Sequence, residues 1–243
     1  MKQSIKAFLR RFPLVYRLVY NAYKFFFPGP IHKQIEKTLR KKSSVFFLQI
    51  GSNDGVEGDP IHKLITKHAK WAGIFVEPVG SVFQRLKQNY KNAERFTFEN
   101  VAIAKETGVA QFYYVSEDAR AKLGDTLPPW YDQLGSFDRN HILKHLGSNL
   151  DPYIVEEKIN CVPLQEILDR NGVTKIDLLH VDTEGSDYDV LSQVNFDKYR
   201  PLVVLYEHLH LSIDEKTKAK SMLEASGYEI VEYGGDTLAI LES

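Results

Sequence analysis

The sequence predicts an α/β fold built on a doubly wound, mostly parallel sheet. Four short apolar runs rich in Val, Ile and Phe each end in a small polar cluster, which is typical of strands buried on both faces. Amphipathic segments with helical spacing separate these runs and indicate right-handed strand–helix–strand crossovers. The last two apolar runs, Tyr228–Tyr233 and Thr237–Leu241, predict a final antiparallel hairpin.

The alternation of apolar runs and amphipathic segments predicts the bounds of each strand and helix. The predicted strands before the final hairpin are Val45–Ile50, Gly73–Val76, Phe96–Ala104, Val109–Val115, Ile176–Val181 and Leu202–Tyr206. The third and fourth of these are expected to pair as a hairpin across Glu106-Thr107-Gly108. The predicted helices are Ile31–Lys42, Asp59–Lys70, Val79–Tyr90, Asp138–Leu146, Leu164–Arg170, Tyr188–Val194 and Asp214–Ala225. Apolar residues on one face support the third helix, and Asn171-Gly172 ends the fifth.

Two segments stand apart from the alternating pattern. Residues 1–30 form a basic, aromatic segment that is expected to be helical, and Pro28-Gly29-Pro30 closes it. Residues 31–243 form the main domain, interrupted at about 117–160 by an insertion rich in Gly, Pro and aromatic residues. This insertion is expected to close over the site on its acceptor side, because its glycines allow motion. Residues suited to stacking on a sugar and bonding its hydroxyls are Trp130, Tyr131, Asp138, Arg139 and His141.

Composition limits the partners and the compartment. At 243 residues and a net charge of −1, the chain fits one large soluble domain and gives no general reason to bind nucleic acid. The single cysteine, Cys161, excludes an internal disulfide, so a cytoplasmic location is expected. The first 35 residues hold seven Lys or Arg and no acid, so residues 1–27 either lie on the inner face of a membrane or pack on protein, including a second copy in a homo-oligomer.

The first strand ends in a glycine-rich turn with Gly51, Gly55 and Gly58. Glycines there let the backbone approach a ligand closely. A dinucleotide fingerprint needs a second glycine where this turn has Ser52, so the turn is a poor cradle for a pyrophosphate. Asp54 would repel phosphates but can accept hydrogen bonds from a cationic amino acid group.

The next two strand endings complete a nucleoside site. Glu77 closes the second strand, where a carboxylate can accept both hydroxyls of a ribose. Asn100, Val101 and Ala102 offer an amide and apolar lining that suits adenine. An adenosine site without a phosphate cradle favours S-adenosylmethionine over NAD.

These motifs resemble the FkbM-type family of S-adenosylmethionine-dependent methyltransferases over about residues 45–210. The segments that carry the resemblance are Gln49–Gly55, Phe75–Pro78, Asn100–Ile103 and, most specifically, Ile176–Gly185. The resemblance implies a class I, Rossmann-like methyltransferase fold with a seven-stranded sheet that ends in an antiparallel hairpin. It also implies O-methylation of a hydroxyl on a sugar, a glycan or a secondary metabolite, which would be the small-molecule or glycan partner.

The same residues give the expected cofactor contacts. They are Gly51, Ser52, Asn53, Asp54, Glu77, Pro78, Asn100, Val101, Ala102 and Asp182. Gln49 departs from the family, whose members often carry Asp there. Gln49 keeps a hydrogen bond but not the charge, so Asp54 is expected to supply the carboxylate that faces the methionine end.

Methyl transfer to a hydroxyl requires removal of a proton, and two strand ends offer the groups for it. Asp182 and Glu184 follow one strand, and Glu207 and His208 follow its neighbour. His208 is the natural base because imidazole titrates near neutral pH. Glu184 is expected to bond the acceptor or orient His208.

A metal is the less favoured alternative at this edge. The three carboxylates and His208 could hold Mg²⁺, but no spacing resembles a dedicated cage. His208 and His210 are expected on one strand face, and two ligands are too few for zinc. The prediction is therefore no metal site. Two other functions also stay open, namely an NAD-dependent oxidoreductase on a similar sheet and a nucleoside-binding module without catalysis.

Overall fold

The computed structural model describes residues 30–91, 94–128 and 130–242. The helical segment predicted for residues 1–30, with its alternatives of membrane contact and packing, lies almost entirely outside this part of the chain. Among the described residues, no helix has both the length and the apolar character needed to cross a membrane.

The described residues contain ten strands and nine α-helices. The strands are β1 (Val45–Ile50), β2 (Trp71–Val76), β3 (Phe96–Glu99), β4 (Ala102–Ile103), β5 (Gly108–Val115), β6 (Ile154–Val162), β7 (Leu178–Val181), β8 (Val203–Glu207), β9 (Tyr228–Tyr233) and β10 (Asp236–Leu241). The helices are α1 (Pro30–Leu39), α2 (His62–Lys67), α3 (Gly80–Asn89), α4 (Asp118–Leu123), α5 (Arg139–Leu146), α6 (Leu164–Arg170), α7 (Asp187–Leu191), α8 (Phe196–Tyr199) and α9 (Ile213–Ala225). Two short 3₁₀ helices span Gly124–Thr126 and Ser148–Tyr153.

Seven strands form the main sheet in the order β3-β2-β1-β7-β8-β10-β9. Neighbouring strands from β3 to β8 run parallel, and β10 runs antiparallel to both β8 and β9. This is the class I methyltransferase arrangement, so the predicted fold class and final hairpin are confirmed. In the register of the sheet, the last residue of β1, Ile50, pairs with Val76 and Val181. The polar residues that follow these three strands therefore meet at one edge.

The continuous apolar runs are explained by burial on both faces of the sheet. Phe47 and Leu48 are adjacent on β1, yet they lie in different hydrophobic clusters because successive strand side chains point to opposite faces. Phe47 packs edge-on against Phe75 of β2 with ring centroids 5.0 Å apart. This two-sided core fixes β1 and β2, and with them the turns that follow these strands.

The predicted hairpin between the third and fourth strands is wrong. β3 ends at Glu99, and β4 belongs to a separate three-stranded sheet in the order β4-β6-β5. β5 pairs along its whole length with β6, antiparallel, rather than with the strand before it. The sequence of β6 was assigned to the insertion because consecutive charges at Glu156, Glu157 and Lys158 hide its strand pattern.

The segment 117–160 is more ordered than its composition suggests. It contains α4, both 3₁₀ helices, α5 and most of β6. Asp138 begins α5 as an N-cap, since its carboxylate accepts a hydrogen bond of 2.9 Å from the amide of Asn140. The cap fixes the start of a helix that, as described below, carries two histidines toward the main sheet.

Candidate active site

A cleft lies at the carboxyl ends of β1, β2 and β7, where ligands bind in open α/β sheets. It holds about 960 Å³ of empty space, solvent at its mouth included. The turn after β1 and the loop after β2 line one end of the cleft. The loop after β7 and residues of the small sheet and the 117–160 segment line the rest.

The turn after β1 depends on Gly51. Its φ is +76°, and a Cβ at this position would lie 1.7 Å from the carbonyl oxygen of Asp182. Only glycine allows this close approach of two chain segments. Ser52 fixes the turn further, because its hydroxyl accepts from the amide of Val76 and donates to the carbonyl of Gln49. Gly51, Ser52 and Asn53 all line the cleft, as predicted for cofactor contacts.

Glu77 lines the cleft at the end of β2 and is buried. Its two carboxylate oxygens accept hydrogen bonds from the amides of Asn53 at 2.9 Å and Val79 at 3.0 Å. Each oxygen retains a lone pair for a further donor, such as a ribose hydroxyl. Burial raises the pKa of Glu77 to about 7, although these amides favour the ionised form. Glu77 therefore also joins the glycine turn to the loop before α3.

Two acceptors lie beside this turn: Asp59, for which the sequence predicted no role, and Gln49, which was expected to keep a hydrogen bond but not the charge of the family's Asp. Asp59 Oδ1 accepts from the amide of Ile61 at 2.7 Å, and the neighbouring side chain of Gln49 also favours the ionised form of Asp59. Oδ2 of Asp59 is shielded from solvent without a close hydrogen-bond partner among the described residues. The same holds for Oε1 of Gln49, and both residues line the cleft. Burial raises the pKa of Asp59 to about 7. His180, paired with Gln49 in the sheet register, adds a buried, neutral imidazole whose pKa burial lowers to about 3.

The structure places two predicted cofactor residues differently. Asp54 does not line the cleft, because its Oδ1 accepts from the amides of Val56 at 2.8 Å and Glu57 at 2.9 Å and so closes its own turn. The amide of Asn100 also lies outside the lining and donates to the carbonyls of Glu77 and Pro78. Among the other predicted contacts, Pro78, Val101, Ala102 and Asp182 line the cleft.

The loop after β7 places Asp182 beside Gly51 and adds Glu184 to the lining of the cleft. Buried Asp187 holds this loop, since its Oδ2 accepts from the amide and hydroxyl of Thr183 and from the amide of Gly185. Glu184 has a left-handed backbone with φ +53°, which is uncommon outside glycine and often marks functional residues. Burial and the charge of Glu184 raise the pKa of Asp182 well above its usual range.

His208 lies away from this edge. Its Nδ1 is 2.8 Å from the hydroxyl of Thr237 on β10, and its side chain does not line the cleft. The chain leaves β8 after Glu207 and turns, so His208 and His210 do not share a strand face as predicted. Glu207 also lies behind the lining, where burial and the charge of Asp182 raise its pKa.

His210, rather than His208, lies beside Glu184, although His210 does not line the cleft either. It belongs to a group that we call the histidine cluster, which consists of His141, His145, His210, Glu184 and Glu207. Burial lowers the pKa of His210 to about 4. The sequence contained one signal for this group: His141 and His145 are four residues apart on a predicted helix and so share a face.

The 117–160 segment reaches the cleft with other residues than those expected. Asp132, Gln133 and Phe137 line it, and the side-chain amide of Gln133 donates to the carbonyl of Glu57 at 2.9 Å. Trp130 is exposed on the surface. Tyr131 is buried beneath the guanidinium of Arg120, 4.6 Å from the ring centroid, so neither residue lines the cleft.

The lining of the cleft is strongly acidic. Six carboxyl side chains line it, namely Glu57, Asp59, Glu77, Asp132, Asp182 and Glu184. None of the described lining residues is Lys or Arg. Such a cleft attracts cations and repels phosphates.

Comparison with known protein families agrees with this geometry. The Methyltransferase FkbM domain matches residues 49–242, which is most of the chain. The chain belongs to the FkbM methyltransferase family. It is therefore a methyltransferase by family, and S-adenosylmethionine is its expected methyl donor. The FkbM match begins at Gln49, in β1, and ends at Glu242, just after β10, so it includes every cleft residue described above.

Solved structures similar to this FkbM chain are distant. One is the fibrillarin pre-rRNA processing protein of Methanococcus jannaschii, with 11% identity over 83% of this chain and 68% of that one, and a TM-score of 0.42. Another is precorrin-6y C5,15-methyltransferase of Geobacter metallireducens, with 12% identity over 87% and 88% of the two chains and a TM-score of 0.43. No curated protein matches the sequence.

Proposed function

We propose that the chain transfers a methyl group from S-adenosylmethionine to a hydroxyl oxygen of a sugar, glycan or secondary-metabolite acceptor. The observation that carries this proposal is the acidic cleft, with six lining carboxyl groups and no lining Lys or Arg among the described residues. S-adenosylmethionine brings a sulfonium and an ammonium, which this lining would stabilise. The two phosphates of NAD would meet carboxylates and no cation.

The residues at the turn after β1 fit the donor. Asp59 Oδ2 and Gln49 Oε1 can accept hydrogen bonds from the ammonium group of S-adenosylmethionine. Glu77 keeps lone pairs for the ribose hydroxyls. Val101 and Ala102 supply apolar contacts for adenine. When bound, S-adenosylmethionine supplies a methyl group that is already activated by the positive sulfur.

The acceptor is assigned to the part of the cleft beside the loop after β7, where Glu184 and Ser186 offer hydrogen bonds. Phe112 and Tyr114 also line the cleft, but they pack with Ala102 and so belong with the adenine contacts. A hydroxyl is a weak nucleophile until its proton leaves. We assign Asp182 as the group that takes this proton, because its carboxylate lines the cleft at the end of β7 between the donor turn and Glu184.

A calorimetric titration tests the donor assignment. The chain is expected to bind S-adenosylmethionine and not NADH. Glu77→Gln keeps the shape of the side chain but loses the charge, so affinity for S-adenosylmethionine should fall about tenfold. Glu99→Gln is the matched control: Glu99 ends the neighbouring strand β3, but it pairs with Arg170 and does not line the cleft.

Three results would redirect the proposal. Binding of NADH in preference to S-adenosylmethionine would favour an oxidoreductase. Equal affinity in the parent and Glu77→Gln would move the ribose elsewhere. Binding of S-adenosylmethionine without transfer of a labelled methyl group to any member of a broad sugar and glycan panel would favour a binding module.

A further inference from the structure

Three imidazoles meet beside the acceptor end of the cleft. His141 and His145 lie one turn apart on α5, and His210 lies in the turn after β8. The three ring centroids are 4.6 Å apart in every pair. Histidines from two distant parts of the chain thus share one small space, and the helix from the 117–160 segment is held against the edge of the main sheet.

Two carboxylates complete the histidine cluster. Oε2 of Glu184 lies 3.2 Å from Nε2 of both His141 and His210. Oε1 of Glu207 lies 3.6 Å from Nε2 of His210. In each of two sets, one of the three histidines and one of His210 with both glutamates, the donor atoms all lie within 4.8 Å of one another.

These distances match the spacing of ligands around a metal. A tetrahedral ion with bonds of about 2.0–2.1 Å to nitrogen and oxygen holds its ligands about 3.3 Å apart. The two contacts of Glu184 already have this length, and the donor atoms of the three histidines lie within 4.8 Å of one another. We propose that the histidine cluster binds a divalent transition-metal ion of the Zn²⁺ type through four ligands: His141, His145, His210 and Glu184.

A hydrogen-bonded cluster without metal explains less of the structure. The ion-pair contacts of Glu184 and Glu207 within the described residues are all to histidines. Oε2 of Glu207 is shielded from solvent and has no hydrogen-bond partner among those residues. A bound ion would engage these carboxyl and imidazole donors together, because their donor atoms lie within one small volume. Three imidazoles favour zinc, cobalt or nickel over magnesium, which prefers oxygen ligands.

The position of the ion gives it a role. Glu184 lines the cleft, so the ion would lie behind its wall at the acceptor end and would fasten α5 to the ends of β7 and β8. With four protein ligands the site would be closed, so the ion would act by fixing the position of Glu184 in the cleft wall. This role at the acceptor end rests on the proposed function, whereas the existence of the site does not.

Metal titration of the full-length chain without a histidine tag tests the site. After dialysis against a chelator, the protein is titrated with Zn²⁺ by calorimetry and with Co²⁺ by visible absorption, in the absence of S-adenosylmethionine. We expect one ion per chain and binding of Mg²⁺ at least about 100-fold weaker. His145→Ala and His210→Ala should each weaken Zn²⁺ binding at least about 100-fold.

The control is His208→Ala, because His208 lies two residues from His210 but contacts Thr237 instead of the cluster. Its Zn²⁺ affinity should stay within about twofold of the parent. Zn²⁺ should also raise the Tm of the parent and His208→Ala but not that of His145→Ala, which shows that exposed His145 acts by ligation rather than folding. Zn²⁺ binding that His145→Ala leaves unchanged, or no stoichiometric binding, would overturn the site.

The metal titration and the test of the methyltransferase proposal can fail independently. Zn²⁺ binding with no binding of S-adenosylmethionine would leave the site standing and refute the proposed function. Binding of S-adenosylmethionine with no Zn²⁺ binding would do the reverse.

Discussion

The donor end of the cleft is built from residues that directly follow strands, whereas the acceptor end collects side chains from distant segments. Gly51 and Glu77 come immediately after β1 and β2, and the register of the parallel sheet aligns them. Asp182, after β7, lies against Gly51 where the two ends meet. The histidine cluster instead joins α5 to the loops after β7 and β8. The first arrangement follows from strand order alone, and the second depends on how a helix outside the sheet packs.

This difference affects how each end responds to substitution. Backbone contacts dominate the donor end, where Gly51 touches the chain at Asp182 and Glu77 accepts from two backbone amides. Contacts between side chains dominate the acceptor end. We therefore expect substitutions at the donor end to impair both folding and cofactor binding, and those at the acceptor end to impair chemistry or metal binding with the fold intact.

The largest effect is expected for Gly51→Ala. A Cβ would lie 1.7 Å from the carbonyl oxygen of Asp182, at a φ of +76° that disfavours any side chain. The turn must move, so binding of S-adenosylmethionine should become undetectable by calorimetry, and the free energy of unfolding should fall by about 2 kcal/mol or more in urea titrations.

The control for Gly51→Ala is Gly80→Ala at the start of α3. Nothing lies within 4 Å of a Cβ at Gly80, so this substitution should leave cofactor binding unchanged and stability equal or up to about 1 kcal/mol higher. Cofactor binding by Gly51→Ala within tenfold of the parent would show that the turn does not contact the donor.

The acceptor end is tested by Asp182→Asn. The amide has the same shape but cannot take a proton from the acceptor, so the single-turnover rate of methyl transfer should fall about 100-fold. Affinity for S-adenosylmethionine should change less than tenfold. Asp189→Asn is the control, since Asp189 lies exposed on the nearby helix α7 and pairs with Lys105. An unchanged rate in Asp182→Asn would assign the proton to another group.

Most of the main sheet was predictable because a strand that is buried on both faces has a continuous apolar sequence. β1 has the predicted bounds, and β9 with β10 form the predicted hairpin. The small sheet was missed because β5 finds its partner across more than 30 residues, in a strand with three consecutive charges. Alternation in one segment does not identify a distant partner, so the sequence pattern alone favours pairing with the nearest strand.

The site was predictable where function follows strand position, and less so where it depends on the direction of a side chain. His208 and His210 both follow β8, and only the turn between them decides which one faces Glu184. Asp54 and Asp59 likewise both follow β1. The positive φ of Asn53 curls the turn so that Asp54 closes it, leaving Asp59 to face the cleft. Such local backbone geometry has no distinct pattern in sequence.

The smallest effect is expected from a comparison of Asp59→Asn with Asp54→Asn. Asp59→Asn removes the charge next to the expected ammonium, so affinity for S-adenosylmethionine should fall about tenfold near neutral pH. Asp54→Asn keeps an oxygen for the amides of Val56 and Glu57 and should bind within about twofold of the parent. A greater loss in Asp54→Asn than in Asp59→Asn would restore the assignment expected from the sequence.

The pH dependence of S-adenosylmethionine binding provides an independent test of the charge of Asp59. The pKa of Asp59 is about 7 in the free protein, raised by burial, and a bound cation favours the ionised form and lowers it. Binding then releases a proton below pH 7, so affinity should rise as pH increases from about 5.5 to 7 and level off above. Glu77, whose pKa is also about 7, adds to this slope in both proteins. Calorimetry across this range should show a slope in Asp59→Asn that is smaller than that of the parent by up to one proton, whereas identical slopes would place the ammonium away from Asp59.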